Sequence, residues 1–330
     1  MGDLLWAWGQ FTASALLVGA GGYLLCRDGE AVGRALGLAG GWIGLALTAS
    51  VTSLPELATG ISAVSVAAVP NIALGDALGS CVINLVFLVV ADLVLRGEPM
   101  YRATSASHVL SAAFGVLLIG FIGLNLLLAR VPGLHTPQLD HVGWYSPVLL
   151  ALYLLALRMS WRYAHDAQAA AAPAPPPWAR FARTALLVAL AGAWLPHAAA
   201  ALADAMGWNR TFIGTLFVAG ATSLPELAVT LAAIRVRALD MAVGNLLGSN
   251  LFNAAIVAVD DLFYRPGPLL SAVSPLHAIT ALCAVLMTSL ALIGLFYRPL
   301  GRILRTVGWI SVGLLLFYLF NAYVVFVHGD

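Results

Sequence analysis

The heptad Thr52-Ser53-Leu54-Pro55-Glu56-Leu57-Ala58 recurs unchanged as Thr222-Ser223-Leu224-Pro225-Glu226-Leu227-Ala228, each copy inside a segment apolar enough to cross a bilayer. A carboxylate at membrane depth is costly, roughly 2.5–3.5 kcal/mol on insertion scales, so two matched copies mark a function rather than an accident. The correspondence continues into a second block. Gly75-Asp76-Ala77-Leu78-Gly79-Ser80-Cys81-Val82-Ile83-Asn84 follows the first heptad, and Gly244-Asn245-Leu246-Leu247-Gly248-Ser249-Asn250-Leu251-Phe252-Asn253 follows the second. The heptads are offset by 170 residues (222 − 52) and the second blocks by 169 (244 − 75). A duplicated membrane protein is implied, with the shared polar residues marking its site.

Composition agrees. Of 330 residues, 61% are hydrophobic and 9% charged, far from the roughly 45–50% and 25% of soluble domains. Apolar runs predict an all-α membrane protein of about ten transmembrane helices, with approximate limits 4–25, 33–67, 70–95, 104–129, 143–161, 181–203, 210–235, 240–263, 270–296 and 303–327. The start, Met1-Gly2-Asp3-Leu4, lacks the basic region of a signal peptide, so the first span reads as retained. Cys26, Cys81 and Cys283 have no CxxC spacing and suggest neither a disulfide nor a zinc site.

All 16 basic residues are arginine. With the N-terminus outside, Arg130, Arg210 and Arg265 fall outside and the other 13 inside, a positive-inside bias that places both termini outside, as ten spans require. Five spans per half is an odd number, so the second half enters the membrane inverted, an arrangement many secondary transporters use. The expected organisation is a first repeat over 1–163, a cytoplasmic Ala/Pro linker over 164–179 and an inverted repeat over 180–330. No segment suggests nucleic acid or an obligate protein partner; the bilayer is the expected surrounding.

Pro55 has no N–H for the carbonyl of Val51, nor Pro225 for that of Ala221, so each heptad should interrupt a helix. Unwound backbone at that depth is tolerated where it lines a cavity. Thr52, Ser53 and Glu56, with Thr222, Ser223 and Glu226, bring hydroxyls and carboxylates within about one turn, a hard-oxygen set suited to sodium or calcium. No Cys or His accompanies the heptads, which argues against zinc, copper or iron. In the second blocks Gly75 and Gly79, like Gly244 and Gly248, form a small face for close helix packing. Ser80 with Asn84, and Ser249 with Asn253, are four apart and point from one helix face toward the heptads.

This motif pair resembles the two α-repeats of the sodium/calcium exchanger branch of the cation/calcium exchanger superfamily, and covers about 100 of the 330 residues. The resemblance implies a ten-span inverted fold and calcium bound by Glu56, Glu226, Thr52 and Thr222. Glu56 and Glu226 would be shared with sodium, with the carbonyls of Ala49 and Ala219 and the hydroxyls of Ser53, Ser223, Ser80 and Ser249 as further sodium ligands, and Asn84 and Asn253 facing the centre. Three departures stand out: Asn253 where many members carry Asp, Asp76 where the usual residue is an amide, and Cys81 where Asn is usual. Asp76 is thus either a candidate extra cation or proton site or a side chain packed against a neighbouring hydroxyl.

Other polar residues read as structural. Asp92 and Asp261 match between repeats and lie near Arg96 and Arg265, suggesting solvated or capping roles. His108, His197 and His277 do not recur in this alignment and read as packing residues; Asp140, Asp204 and Asp260 read as solvated. The expected function is secondary antiport of calcium against sodium at a midplane site of a plasma (inner) membrane, without enzymatic activity or a cofactor. The runner-up is exchange coupled to protons or potassium. A passive cation channel and an intramembrane protease dyad are the alternatives from other classes, and the flanking hydroxyls suit ion binding better than peptide hydrolysis.

Overall fold

The computed structural model describes residues 2–35, 48–95, 100–105, 108–134, 136–164, 175–299, 302–303 and 307–328. Its principal helices are α1 (Gly2–Ala35), α2 (Ala49–Thr52), α3 (Leu54–Ser65), α4 (Pro70–Val94), α5 (His108–Leu128), α6 (Tyr145–Ala164), α7 (Trp178–Met206), α8 (Ala219–Thr222), α9 (Leu224–Arg235), α10 (Leu239–Phe263), α11 (His277–Tyr297) and α12 (Trp309–His328). Each helix of the first six has its counterpart six further on. A helix lies in every one of the ten expected segments, although residues 36–47 of the second lie outside the described residues. Among the described residues seven helices are long and apolar enough to cross a membrane, and an eighth span results if the bent pair Arg210–Thr222 and Leu224–Arg235 counts as one. The linker expected over 164–179 is helical at both ends, since α6 includes Ala164 and α7 begins at Trp178; residues 165–174 lie outside the described residues.

The two expected helix breaks fall at Ser53 and Ser223, two residues ahead of the prolines, with φ/ψ of −89°/13° and −82°/3°. The reason is local. Pro55 and Pro225 sit in the first turn of α3 and α9, where no intrahelical N–H is needed, and the turn that would have received that bond opens instead. In the second half the break bends the chain by 42°, and a π-helical turn, Ile213–Val218, leads into it. Such turns displace the backbone ladder and frequently accompany functional sites.

Helices α4 and α10 form the centre: 78% and 89% of their apolar windows are buried, against 28% for α12 at the periphery. Association inside a bilayer depends on close packing, and glycines set it here. A methyl at Gly79 would lie 2.3 Å from the carbonyl oxygen of Thr215, and one at Gly75 2.9 Å from its backbone N. The small face expected on α4 therefore meets the π-turn of the other half. The long helices α1 and α7 are exchanged in the same way. Gly22 of α1 packs on Pro225, and Gly192 of α7 packs on the carbonyl of Pro55. Asp28 at the far end of α1 pairs with Arg180 of α7 at 2.6 Å.

Of the solvated or capping roles expected for Asp92 and Asp261, the structure bears out capping, and two other readings are corrected. Asp92 and Asp261 are not solvated, with relative exposures of 1% and 0%. They cap helices of the other half: Asp92 accepts from Gly308 N and Ser311 Oγ at the start of α12, and Asp261 from Gly143 N, Tyr145 OH and Ser146 Oγ at the start of α6. Anionic acceptors at helix N-termini are favoured both by hydrogen bonding and by the macrodipole. Short hairpins, Gln138–Leu139 with Val142–Gly143 and Arg302–Ile303 with Val307–Gly308, lead into these helices. Asp260 is also fully buried, unlike the exposed Asp140 and Asp204.

Two of the histidines do recur, because the 169-residue offset places His108 on His277 (277 − 108), while His197 has no counterpart. The packing around them recurs too. Ser105 N donates to Asp240, which His108 also contacts at 3.1 Å, while Ser274 N donates to Asn71, the counterpart of Asp240.

Candidate cation-binding site

The breaks in α2/α3 and α8/α9 bring the two heptads face to face, flanked by the glycine-serine blocks of α4 and α10. Thr52, Ser53, Glu56, Asp76, Ser80, Thr222, Ser223, Glu226, Asn245 and Ser249 all have relative exposures of 1% or less. Hydrogen bonds from both halves converge on each glutamate. Ser53 Oγ donates to Glu226 Oε1 at 2.9 Å, and Ser249 Oγ reaches the same oxygen at 3.1 Å. In the mirror arrangement Ser223 Oγ donates to Glu56 Oε1 at 3.4 Å and Ser80 Oγ to the same atom at 3.5 Å. Thr52 Oγ1 lies 3.2 Å from Ser249 Oγ, and Thr222 Oγ1 lies 3.5 Å from Ser80 Oγ. Neither half completes the site alone.

The carbonyls of Ala49 and Ala219 line the breaks. Each accepts the N–H of the following serine break residue, Ser53 or Ser223, and lies 3.0 or 3.3 Å from the hydroxyl of Thr52 or Thr222. Asn84 Nδ2 donates to Asn250 Oδ1 at 3.0 Å, tying α4 to α10, and Asn250 Nδ2 returns a bond to the carbonyl of Cys81. Asn253 is fully buried with both amide atoms unpartnered. Two site residues did not stand out in the sequence reading. Asn245 faces the hydroxyl of Thr52 at 3.4 Å, and Asn250 holds the two central helices together. Both lie inside the repeated block, and their position there was the available signal.

One difference breaks the mirror symmetry. Where Asn245 faces Thr52, its counterpart Asp76 accepts a 2.8 Å bond from Thr222 Oγ1, adding a third carboxylate. Glu56 Oε2, Asp76 Oδ2 and Glu226 Oε2 have no hydrogen-bond partner, and none of the ion pairs among the described residues reaches them. In each carboxylate one oxygen is held by hydroxyls and the other is open. Buried carboxylates are stabilised by a counter-charge or by a proton, so the arrangement is suited to cations. Hydroxyl, amide and carboxylate oxygens fit sodium or calcium as passing substrates. Among the described residues no three His, Cys, Asp or Glu side chains form a metal cage, so the coordination depends on the neutral oxygens as well.

A helical membrane protein with a two-sided, buried, oxygen-lined pocket belongs to the class of cation transporters. The sodium/calcium exchanger protein family model matches residues 6–162 and 177–324, and the chain belongs to that family. It is accordingly a multi-pass cation/calcium antiporter and not an enzyme; members of the family need no cofactor. Similarity extends to CaxA of Alkalimonas amylolytica, 28% identical over 318 residues and covering 90% of this chain and 91% of that one. The sodium/calcium exchanger MaX1 of Methanosarcina acetivorans is 37% identical over 125 residues, 38% of this chain and 33% of its own. Among solved structures, the sodium-calcium exchanger NCX_Mj superposes with a TM-score of 0.65 at 24% identity, covering 97% of this chain and 99% of that one, a likeness of fold.

Proposed function

We propose that this chain exchanges calcium for sodium through one pocket near the middle of the membrane, exposed alternately to either side, and that under an inward sodium gradient it expels calcium. The observation that carries this reading is the crosswise network: each glutamate is held by a serine of the opposite heptad. Glu56 and Glu226, with Thr52 and Thr222, would bind calcium. Ser53, Ser223, Ser80, Ser249 and the carbonyls of Ala49 and Ala219 would complete sodium sites, with Asn84 and Asn253 at the centre. Two carboxylates neutralise one calcium or the equivalent sodium charge, which makes the loads mutually exclusive. An empty anionic pocket would resist sliding past an apolar bundle, so the return step would require a cation.

The architecture that goes with this reading is two inverted repeats, 1–163 and 180–330, joined by the 164–179 linker, in a plasma (inner) membrane with both termini outside. The arginine distribution supports that orientation. In a cysteine-free background, Leu139→Cys in the first hairpin should react only from outside and Val236→Cys beyond α9 only from the cytoplasm. Both side chains are well exposed, at 81% and 74%. Labelling of both from one side would refute an odd number of spans between them.

The test of the shared pocket is competition. Sodium should shift the midpoint of calcium binding to purified protein without lowering the number of calcium sites. A fall in capacity at constant midpoint would count against it. Asp76, with one open oxygen beside Thr222, favours a second reading in which a proton or potassium ion accompanies exchange.

A further inference from the structure

Position-by-position comparison of the two halves leaves two pocket-side carboxylates without an acidic counterpart. Asp76 corresponds to Asn245 (245 − 76 = 169) and Asp260 to Ala91 (260 − 91 = 169). Both lie toward the same end of the bundle. The segment after α10 fixes this, since Leu269 N donates to Asp261 near the end of α10 while Ser274 N donates to Asn71 at the start of α4. The arginine distribution assigns this end to the outer side.

Asp260 and Asp261 are adjacent and equally buried, yet opposite in their surroundings. Asp261 is saturated by Gly143 N, Tyr145 OH, Ser146 Oγ and Leu269 N. Asp260 has 0% exposure and neither oxygen has a partner. Its carboxylate lies directly on Gly60, where a methyl group would meet both oxygens at 2.5 Å. Gly60 is four residues beyond Glu56 on α3, about 6 Å along the axis and on the same face. On α10, Asp260 is seven residues beyond Asn253, two turns along one face.

Unpartnered oxygens thus occur on Glu56, Asp76, Asn253 and Asp260, and Asp260 lies against Gly60, one turn beyond Glu56. The counterpart positions in the other half lack the acid, because Ala91 replaces it and Thr230 replaces Gly60 (230 − 60 = 170). A buried carboxylate without a partner is unfavourable and, inside a membrane, points to a function.

We propose that Asp260 anchors a second cation subsite, one helical turn outward of the Glu56–Glu226 pocket, that takes a monovalent alkali ion such as sodium. This rests on reading the central pocket as a cation carrier. A single carboxylate balances a single positive charge. The subsite serves only one face of a molecule that is otherwise built symmetrically.

The experiment is equilibrium binding of radiolabelled sodium alone, and of calcium alone, to the purified full chain and to Asp260→Asn. The variant should bind one sodium fewer, or bind sodium roughly tenfold or more weakly, as when one partner of a buried charge pair is removed, while calcium binding stays at wild-type level. Glu56→Gln should instead lose calcium, so failure of the central reading is seen separately. Should Asp260→Asn not fold, Gly60→Ala carries the same expectation, because its methyl displaces both oxygens. Wild-type sodium binding in a folded variant would overturn the subsite. Parallel loss of sodium and calcium would place Asp260 within the central pocket and overturn it equally.

Discussion

Glu56→Gln and Glu226→Gln are each expected to abolish calcium exchange while leaving the folded protein intact. Glutamine keeps the shape of the side chain and can still accept from Ser223 and Ser80, or from Ser53 and Ser249, through its carbonyl. It removes one of the charges that neutralise a divalent ion in a site sealed from water. Leaving part of a buried charge uncompensated costs about 3–5 kcal/mol, roughly a hundredfold or more in calcium affinity. The two substitutions should be equally severe, because the glutamates are held in mirror-image fashion by serines from opposite halves. Asp140→Asn is the control. Asp140 is on an exposed turn, where its hydrogen bond from His141 holds its carboxyl below the usual range, and its loss should leave exchange unchanged. Wild-type uptake by either glutamine variant would remove that glutamate from the pocket.

The fold and the centre of the site were largely legible because the sequence states them twice. The heptads, the glycine faces and the matched serines named the elements that meet, and the structure joins them. The resemblance suggested the remaining oxygens. What stayed hidden depends on partners far away in sequence. Asp92 and Asp261 look like ordinary helix-end acids until Gly308, Ser311, Gly143 and Ser146 of the opposite half close on them. Asp260, three residues from the end of α10, looked solvated for the same reason. Burial there results from α3 packing its Gly60 against it, which periodicity in α10 alone cannot reveal. The match between His108 and His277 was available in the sequence, since it follows the same 169-residue offset as the glycine-serine blocks. The exact place of the helix breaks was not, because a proline opens the turn before it and not its own position.

Counter-ion dependence of calcium movement has the second large expected effect. In the proposed cycle the empty pocket holds two or three uncompensated carboxylates, and crossing the apolar bundle in that state is strongly unfavourable. Calcium can leave one side only if a cation load returns. A channel has no such requirement, since its ions pass without a matching return step. Proton or potassium coupling, which Asp76 favours as the second reading, would replace sodium in the same scheme and leave the requirement for a return load in place. The direct measurement is calcium release from liposomes containing the purified chain, with sodium, potassium, choline or a pH gradient imposed outside and the membrane potential clamped. Rapid release with external sodium, and none with choline, is the expected result; release at the same rate in choline would contradict antiport itself.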